Sequence, residues 1–352
     1  MFTQALGLIY NMNIMKYTQQ IFFGLALTVF VGCGYKYNIG ALPNEPVNLV
    51  DINSEFDDYN STSPTLGETF PLCFSSNRGF RSDFDVQYKL MRLQFDKRTA
   101  DLTFSEETDA NLDVVSRYSN LRTGFQTTST SFDEFGPYAI EHDVNVRNSV
   151  GKWIQPFVIL YSNNSNGNQD IFFTHNVIDG EYQTPKEVEF LNSEFDDAYP
   201  TFNEDLSSIY FTSNREGGIF NIYEISTDNS VEVVELLSNS NSNLVKKVDI
   251  LSSKADDKCP FIQDNLLVFS SNREGGFGGY DLYYSFYING NWSIPQNFGE
   301  KINTEYDEFR PINKPIIEFS NDLMIFSSNR PGGVGGFDLY YVGINQLRID
   351  KN

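Results

Sequence analysis

Short apolar runs alternate with polar clusters along most of the chain. Residues 209–211, 268–269 and 325–326 are such runs, and clusters of Asn, Asp, Gly and Ser follow them. This pattern is typical of strands joined by turns rather than of amphipathic helices. Asp179-Gly180 and Asn289-Gly290 are dipeptides that accept the positive φ of a hairpin turn. The pattern therefore predicts an all-β protein.

One motif recurs through this pattern. Full copies read Ser-Asn-Arg-x-Gly-Gly at residues 213–218, 271–276 and 328–333, each with an acidic pair and a proline before it and a strand beginning Asn or Asp after it. A first copy has Asn77-Arg78, and a worn copy has Asn163, with Asn164 interpreted as replacing the arginine. The positions interpreted as structural repeat residues are Asp57, Asp58, Asn77, Arg78, Asp85, Asp133, Asn163, Asp170, Asp196, Asp197, Asn214, Arg215, Asp256, Asp257, Asn272, Arg273, Asp281, Asp307, Asn329, Arg330 and Asp338.

The spacing of the motif predicts a β-propeller. Units of about 40 to 55 residues with four short strands and no helical periodicity are what a propeller blade looks like in sequence. The step from Asn77 to Asn163 is much longer than the others, so one enlarged blade would make five blades and two small ones would make six. We favour five. The repeats lie near residues 46–105, 132–190, 191–250, 251–300 and 301–352, with 106–131 as an inserted loop.

Ring closure follows from the lengths of chain at the two ends. The residues after Asn329 and those from about Pro43 to Asn77 together amount to one more blade. Residues 46–50 are therefore expected to supply the last strand of the final blade. Such closure hides two sheet edges that would otherwise invite aggregation.

The repeated tracts also resemble those of the TolB-type propellers, a branch related to the WD repeats. The resemblance covers nearly all of the chain after Cys33 and implies the fold. Because TolB-like proteins contact peptidoglycan-associated lipoproteins, it also implies a surface that binds a protein or an envelope polymer. It is weaker for function, since propellers host unrelated activities.

The N-terminal segment has the layout of a secretion signal. Met15 and Lys16 are followed by an apolar run at residues 21–31, which is too short to span a bilayer, and then by Gly32 and Cys33. Residues 30–33 resemble a bacterial lipobox, which implies cleavage before Cys33 and a lipid on its thiol. Residues 1–33 are thus predicted to be a signal peptide, 34–45 a linker and 46–352 the propeller. The alternative is an ordinary signal with an incidental cysteine.

Charge narrows the choice of partners. The 25 basic residues against 47 acidic ones give a net charge of −22, which disfavours nucleic acid and anionic lipid surfaces. The chain is expected at the cell envelope as an outer-membrane lipoprotein, facing either the periplasm or the outside, and touching the membrane only through its lipid. No cofactor or metal is expected, although five acidic pairs at one channel mouth could hold a cation.

Catalytic signals are sparse. His142 and His175 are the only histidines, and no nucleophile elbow or zinc motif surrounds either. Cys73 and Cys259 fall in repeats that are not neighbours, so no disulfide is expected. Function is expected in parts that do not repeat, namely residues 106–131, the strands around His142 and Trp153, and exposed aromatic side chains. The sequence of residues 151–156 is similar to that of residues 290–295, but the two stretches fall at different places in their blades, so the similarity is interpreted as chance.

These observations predict a lipid-anchored scaffold that binds an envelope protein or a cell-wall or carbohydrate polymer and is not an enzyme. The alternative is a propeller glycoside hydrolase or a carbohydrate-binding protein. A glycosidase would need two or three carboxylates that are unique to their blades and face the channel.

Overall fold

The computed structural model describes residues 38–79, 83–108, 112–239 and 244–346. The predicted signal peptide, Cys33 and the first part of the predicted linker lie outside these ranges. The strands, in chain order, are β1 (Val47–Asn48), β2 (Asp58–Thr62), β3 (Thr69–Ser76), β4 (Asp85–Phe95), β5 (Leu102–Glu106), β6 (Glu134–Glu141), β7 (Val146–Arg147), β8 (Trp153–Ile154), β9 (Phe157–Asn163), β10 (Asp170–His175), β11 (Lys186–Glu187), β12 (Asp197–Phe202), β13 (Ser208–Ser213), β14 (Asn221–Ser226), β15 (Lys246–Lys247), β16 (Asp257–Gln263), β17 (Leu266–Ser271), β18 (Asp281–Ile288), β19 (Asn291–Trp292), β20 (Gln296–Asn297), β21 (Glu308–Lys314), β22 (Asp322–Ser328) and β23 (Asp338–Ile344).

These strands form a five-bladed β-propeller, as the repeat predicted. The blades in ring order are β2-β3-β4-β5, β6-β9-β10-β11, β12-β13-β14-β15, β16-β17-β18-β20 and β21-β22-β23-β1. All strand pairs within a blade are antiparallel. The six-bladed alternative is wrong, because the long step between motif copies belongs to one blade and an insertion.

The two ends of the described chain meet in the fifth blade. Strand β1 pairs with β23, with Val47 opposite Tyr341 and Asn48 opposite Tyr340. The Asn48 amide also donates to Asp338 at 2.7 Å. The predicted ring closure is therefore confirmed, and no blade in the described chain has its third strand without a fourth.

The segment at 106–131, predicted to be a loop, contains a helix, α1 (Leu112–Thr128). Its Tyr118, Leu121 and Phe125 are buried against Phe157 and Ile159 of β9, in a cluster that joins the first and second blades. The helix fills the wedge between these blades, which explains the long step. Its many polar residues concealed the helical spacing of the three apolar ones.

A second helix, α2 (Val233–Ser238), links β14 to β15. Neither α1 nor α2 is long and apolar enough to cross a membrane, and the described residues contain no other helix.

The ring has two faces that differ in chemistry. The links between blades and the Ser-Asn-Arg turns form one face, which we call the clip face. The turns from first to second strand and from third to fourth strand form the other, which we call the groove face. On the clip face Tyr59 packs against Phe84, Phe135, Phe309 and Phe337, with ring centroids 5.0–6.5 Å apart. These aromatic rings fill the channel at that end.

The first acid of each acidic pair clips its blade to the preceding one. Its carboxylate accepts the backbone N–H of the residue just before the third strand of the preceding blade. The second acid of the pair donates its own backbone N–H to the carbonyl of that residue. The carboxylate bonds are Asp57 with Phe337 (2.8 Å), Asp133 with Phe84 (3.0 Å), Asp196 with Gln169 (2.9 Å), Asp256 with Phe220 (3.0 Å) and Asp307 with Tyr280 (2.8 Å). All five interfaces carry this clip, including the one between the last blade and the first.

The second acid is buried and in four blades binds the motif arginine. The pairs are Arg78 with Asp58, Arg215 with Asp197 (2.5 Å), Arg273 with Asp257 (2.5 Å) and Arg330 with Glu308 (2.9 Å). Each arginine also donates to a carbonyl in the link that enters its own blade. The ion pair therefore holds that link against the second strand, and removing one partner would leave a buried charge.

The second blade departs from this scheme, and the worn copy was aligned one residue out of register. In the strand register, Glu134 lies opposite Asn163, whereas in the other blades the second acid lies opposite the serine of the Ser-Asn-Arg motif. Asn164, and not Asn163, is therefore the marker asparagine, since its side chain bonds Asp133. Ser165 takes the arginine's place. Without a guanidinium, Glu134 accepts bonds from Asn163 (2.8 Å) and Thr130 (2.5 Å), and burial raises its pKa to about 8.

The clip makes a first prediction. Asp196→Ala removes the acceptor for the Gln169 N–H and for the Asn214 amide, and is expected to lower the free energy of unfolding by about 1–3 kcal/mol because two partly buried donors lose their partner. Glu194→Ala, an exposed acid two residues away, is the matched control and should change it by less than about 0.5 kcal/mol. Denaturant unfolding measures both, and equal effects would contradict the role of the clip.

Glu134 makes a second prediction. Its folded-state pKa of about 8 lies above the value of about 4.3 in an unfolded chain. The folded state therefore holds the proton more tightly, and this share of the stability is complete below about pH 4 and lost as pH rises through about 8. Glu134→Gln should flatten the fall in stability between about pH 5 and pH 8, by a few kcal/mol.

Asp197→Asn is the control for this experiment. Asp197 is the corresponding acid of the third blade but has Arg215 as its partner, so the variant should be less stable at every pH. A wild-type stability that does not fall over this pH range would show that Glu134 is ionised in the folded protein.

Candidate functional site

The residues that repeat are engaged on the clip face. The side chains of Asn77, Asn214, Asn272 and Asn329 accept the N–H of the first acid at 2.8–3.0 Å. Asp281 and Asp338 accept N–H groups of the preceding glycine-rich turn. Asp85 binds Ser129, and Asp170 binds the amides of Asn166 and Asn168. These side chains satisfy turn donors that would otherwise lack partners.

The acidic pairs do not converge on a cation site. Their carboxylates accept N–H groups and guanidinium donors, and the aromatic rings around Tyr59 lie between them at the channel end. Across the described residues, no group of three or more His, Cys, Asp or Glu side chains is arranged to hold a metal ion.

The two histidines and the two described thiols do not form a common site. His142 contacts Glu232 of the α2 segment at 3.3 Å, and His175 stacks on Phe173, with its pKa lowered by burial. Cys73 and Cys259 are buried free thiols in the first and fourth blades, and burial raises the pKa of both.

A cavity of about 310 Å³ opens at the mouth of the channel on the groove face. All five blades contribute to its wall, through Thr65, Ile140, Asn203, Gln263 and Lys314 among others. Because first strands line the channel of a propeller, their ends bring together residues from distant parts of the sequence.

A second cavity of about 340 Å³ lies between the third and fourth blades. It shares Asn203, Glu204, Ile262 and Asp264 with the channel mouth, so the two form one continuous depression. We call this depression the mouth groove. Ligand sites in proteins are typically concave, partly apolar and provided with a few polar groups, and the mouth groove has these properties.

Aromatic side chains form one wall of the mouth groove. Trp292 lies 5.0 Å from Tyr287 and 5.8 Å from Tyr210 between ring centroids, and its indole N–H donates to the Tyr210 hydroxyl at 3.3 Å. Trp292 is opposite Tyr287 in the β18–β19 hairpin, whose turn uses Asn289 and Gly290 at positive φ. The hairpin therefore presents a fixed aromatic surface, and Tyr287 is 45% exposed.

Carboxylates line the rest of the mouth groove. Glu204 and Asp264 lie at exposed turns that end the first strands of the third and fourth blades. Glu224 is half-buried on β14 and accepts the Ser208 hydroxyl at 2.8 Å. At the channel mouth Glu141 binds Arg117 of α1. The groove thus offers hydrogen-bond acceptors next to apolar rings.

Other residues that the sequence indicated as candidates lie on this face. Trp153 lies on the β7–β8 hairpin, 59% exposed, with the Arg147 guanidinium 4.8 Å from its ring. The similarity between residues 151–156 and 290–295 corresponds to two such hairpins, each with a glycine at positive φ. The sequence did contain a signal for Glu224. At the equivalent position of the third strand, the other blades have an aromatic residue, namely Tyr88, Phe173, Tyr284 or Tyr341.

Comparisons with known proteins assign the chain to no family. No family model matches the chain, and no curated protein does. Among solved structures it is similar to an α-L-arabinofuranosidase from Podospora anserina in complex with cellotriose (12% identity, TM-score 0.45, covering 88% of this chain and 98% of that one). An exo-β-1,3-galactanase from Clostridium thermocellum matches at 10% identity (TM-score 0.45, 86% and 63%), and a protein described as TolB from Agrobacterium tumefaciens at 12% (TM-score 0.39, 87% and 93%).

These comparisons correct one prediction. The chain was expected not to be an enzyme, yet several of the similar solved structures are glycoside hydrolases. Identities of 8–12% with TM-scores below 0.5 assign neither reaction nor substrate. The prediction that the chain is not an enzyme therefore does not stand, and the mouth groove is the candidate site for binding or catalysis.

Proposed function

We propose that the mouth groove binds a carbohydrate polymer. The observation that carries this proposal is the aromatic surface of Trp292 and Tyr287 beside the carboxylates of Glu204, Glu224 and Asp264. The apolar face of a sugar ring packs on an aromatic ring, while its hydroxyls donate to acceptors at the edge. A groove that runs from the channel mouth to the blade interface suits an extended ligand.

The negative charge of the protein limits which polymers can bind. The protein carries a net charge of −22, and five side chains that line the mouth groove are acidic, namely Glu141, Glu204, Asp205, Glu224 and Asp264. Polymers rich in carboxylate or sulfate groups would be repelled. We therefore expect a neutral or amino-sugar glycan.

We also propose that the protein acts at the cell envelope, tethered by a lipid on Cys33. The lipobox-like residues 30–33 support this proposal, as does the TolB-type repeat. The repeat residues themselves hold the blades together, so the resemblance supports the architecture more than a protein partner. Metabolic labelling with palmitate tests the anchor, since Cys33→Ser should remove the label and a labelled variant would refute it.

Hydrolysis of the bound glycan is the second candidate. Glu224 is half-buried and hydrogen-bonded, whereas Asp264 is exposed across the same groove. Carboxylates in unlike environments are the arrangement that divides acid and base roles in glycosidases.

Binding is tested with the two tryptophans of the chain. Trp292→Ala should weaken the affinity for short neutral or amino-sugar oligosaccharides by about tenfold or more, because the stacking surface is lost. Trp153→Ala is the matched control, since Trp153 is exposed on the same face but is not part of the mouth groove. Calorimetric titration measures both. Equal losses in the two variants, or no binding by the wild type, would refute the site.

Hydrolysis is tested on whichever polymer binds. If Glu224 takes part, Glu224→Gln should lower the release of new reducing ends by about 100-fold or more while binding persists. Glu194→Gln, an exposed acid near the clip face, should leave the rate unchanged. A wild type that binds the polymer and releases no reducing ends would leave a binding protein.

A further inference from the structure

The first strand of every blade bulges at the same position. Residues there have positive φ, namely Asn60 (59°), Gly136 (55°), Tyr199 (56°), Cys259 (58°) and Arg310 (49°). Four of their N–H groups donate to a hydroxyl on the second strand of the preceding blade, at 3.0–3.2 Å. The backbone is thus the same in each blade, while the side chains differ.

These side chains meet near the channel axis, above the aromatic rings of the clip face. A Cβ built on Gly136 of the second blade would lie 2.4 Å from the Tyr199 ring of the third. Tyr199 and Cys259 belong to one buried cluster with Phe135 and Ala198. The Arg310 guanidinium, from the fifth blade, lies 5.5 Å from the centre of the Tyr199 ring.

Arg310 is a buried charge without a counter-charge. Its side chain is fully buried, and Nη2 donates to the Pro137 carbonyl of the second blade at 3.2 Å. Nε and Nη1 have no acceptor among the described residues. Its titratable neighbours are Cys259, Tyr199 and Tyr138, and burial raises the pKa of each, so all three are neutral near pH 7.

Such a charge is costly. An ionised group in a medium of low dielectric constant is strongly destabilised unless an opposite charge and hydrogen bonds compensate it. A water molecule could accept a hydrogen bond from Nε or Nη1 but would leave the charge unbalanced. An anion supplies both.

Asn60 provides a second, independent indication. Its side chain is fully buried in the first blade, next to the fifth, and lies against the hydroxyls of Tyr59 and Tyr199 without a hydrogen bond of ordinary geometry to any group of the described chain. It stands at the same bulge position as Arg310 and beside Tyr199. An amide N–H donor without a well-formed hydrogen bond, in the same layer as the unpaired guanidinium, points to a shared ligand.

We propose that this layer binds a small inorganic monoanion with the size and charge of chloride, held by Arg310 Nε and Nη1 and by Asn60 Nδ2. One uncompensated positive charge calls for one negative charge. The layer on the groove side contains Thr62, Tyr138, Thr201, Phe261 and Ile312, which leaves little room for a larger anion. The bound ion would tie the fifth blade to the second across the channel.

Thermal unfolding in matched sodium salts tests the proposal. At equal ionic strength the wild-type Tm should be higher in chloride or bromide than in gluconate, which is too large for this layer. The difference should saturate with concentration and reach about 5 °C at an anion concentration about 100-fold above its Kd. Arg310→Met should lose this difference, whereas Arg147→Met, which removes an exposed arginine, should keep it.

A second variant and a direct measurement guard against misfolding of Arg310→Met. Asn60→Gly suits the positive φ, as Gly136 does in the second blade, and should weaken the anion affinity by about tenfold. Crystals of the wild type in bromide should show anomalous density beside Arg310. The same Tm in all salts, together with no bromide density there, would overturn the proposal.

Discussion

The structure depends on a carboxylate that accepts a backbone N–H across each blade interface. A four-stranded sheet satisfies most of its hydrogen bonds internally, so neighbouring blades are held by side-chain packing and by a few directed contacts. The clip supplies those contacts at one face. Its five carboxylates, those of Asp57, Asp133, Asp196, Asp256 and Asp307, accept the N–H of the preceding blade at 2.8–3.0 Å. A closed ring needs it at every interface, and β1 completes the last blade so that the fifth interface matches the others.

This constraint separates the two faces. On the clip face the acids, asparagines and arginines are committed to the links and turns, so they repeat and are not available for a ligand. On the groove face the turns have no such duty. There the third and fourth blades bring together Glu204, Glu224 and Trp292, of which Glu224 and Trp292 have no counterpart in the other blades. Binding is therefore expected where the repeat breaks.

Departures from the repeat also mark the unusual energetics. Loss of the arginine in the second blade leaves Glu134 buried with only neutral donors, which favours its protonated form. At the axis the reverse holds, because Arg310 is a cation among neutral groups. Glu134 and Arg310 each occupy a position that repeats in every blade with the same backbone conformation. In each case the surrounding side chains provide no opposite charge. Their electrostatics follow from that mismatch.

The sequence by itself determined the four-strand unit and the closure by residues 46–50 and favoured five blades over six, because periodic strands and turns are local signals and ring closure follows from length. That the long step belongs to one blade and an insertion was decided by the tertiary structure. It did not determine the helix at 112–128, whose stability comes from packing Leu121 and Phe125 between two blades. Nor did it determine the alignment of Asn163, which pairing with Glu134 decides. Tyr210 meets Trp292 and Arg310 meets Pro137 only when the ring closes. Contacts between residues this far apart in the chain depend on the three-dimensional arrangement of the blades, which no local pattern contains.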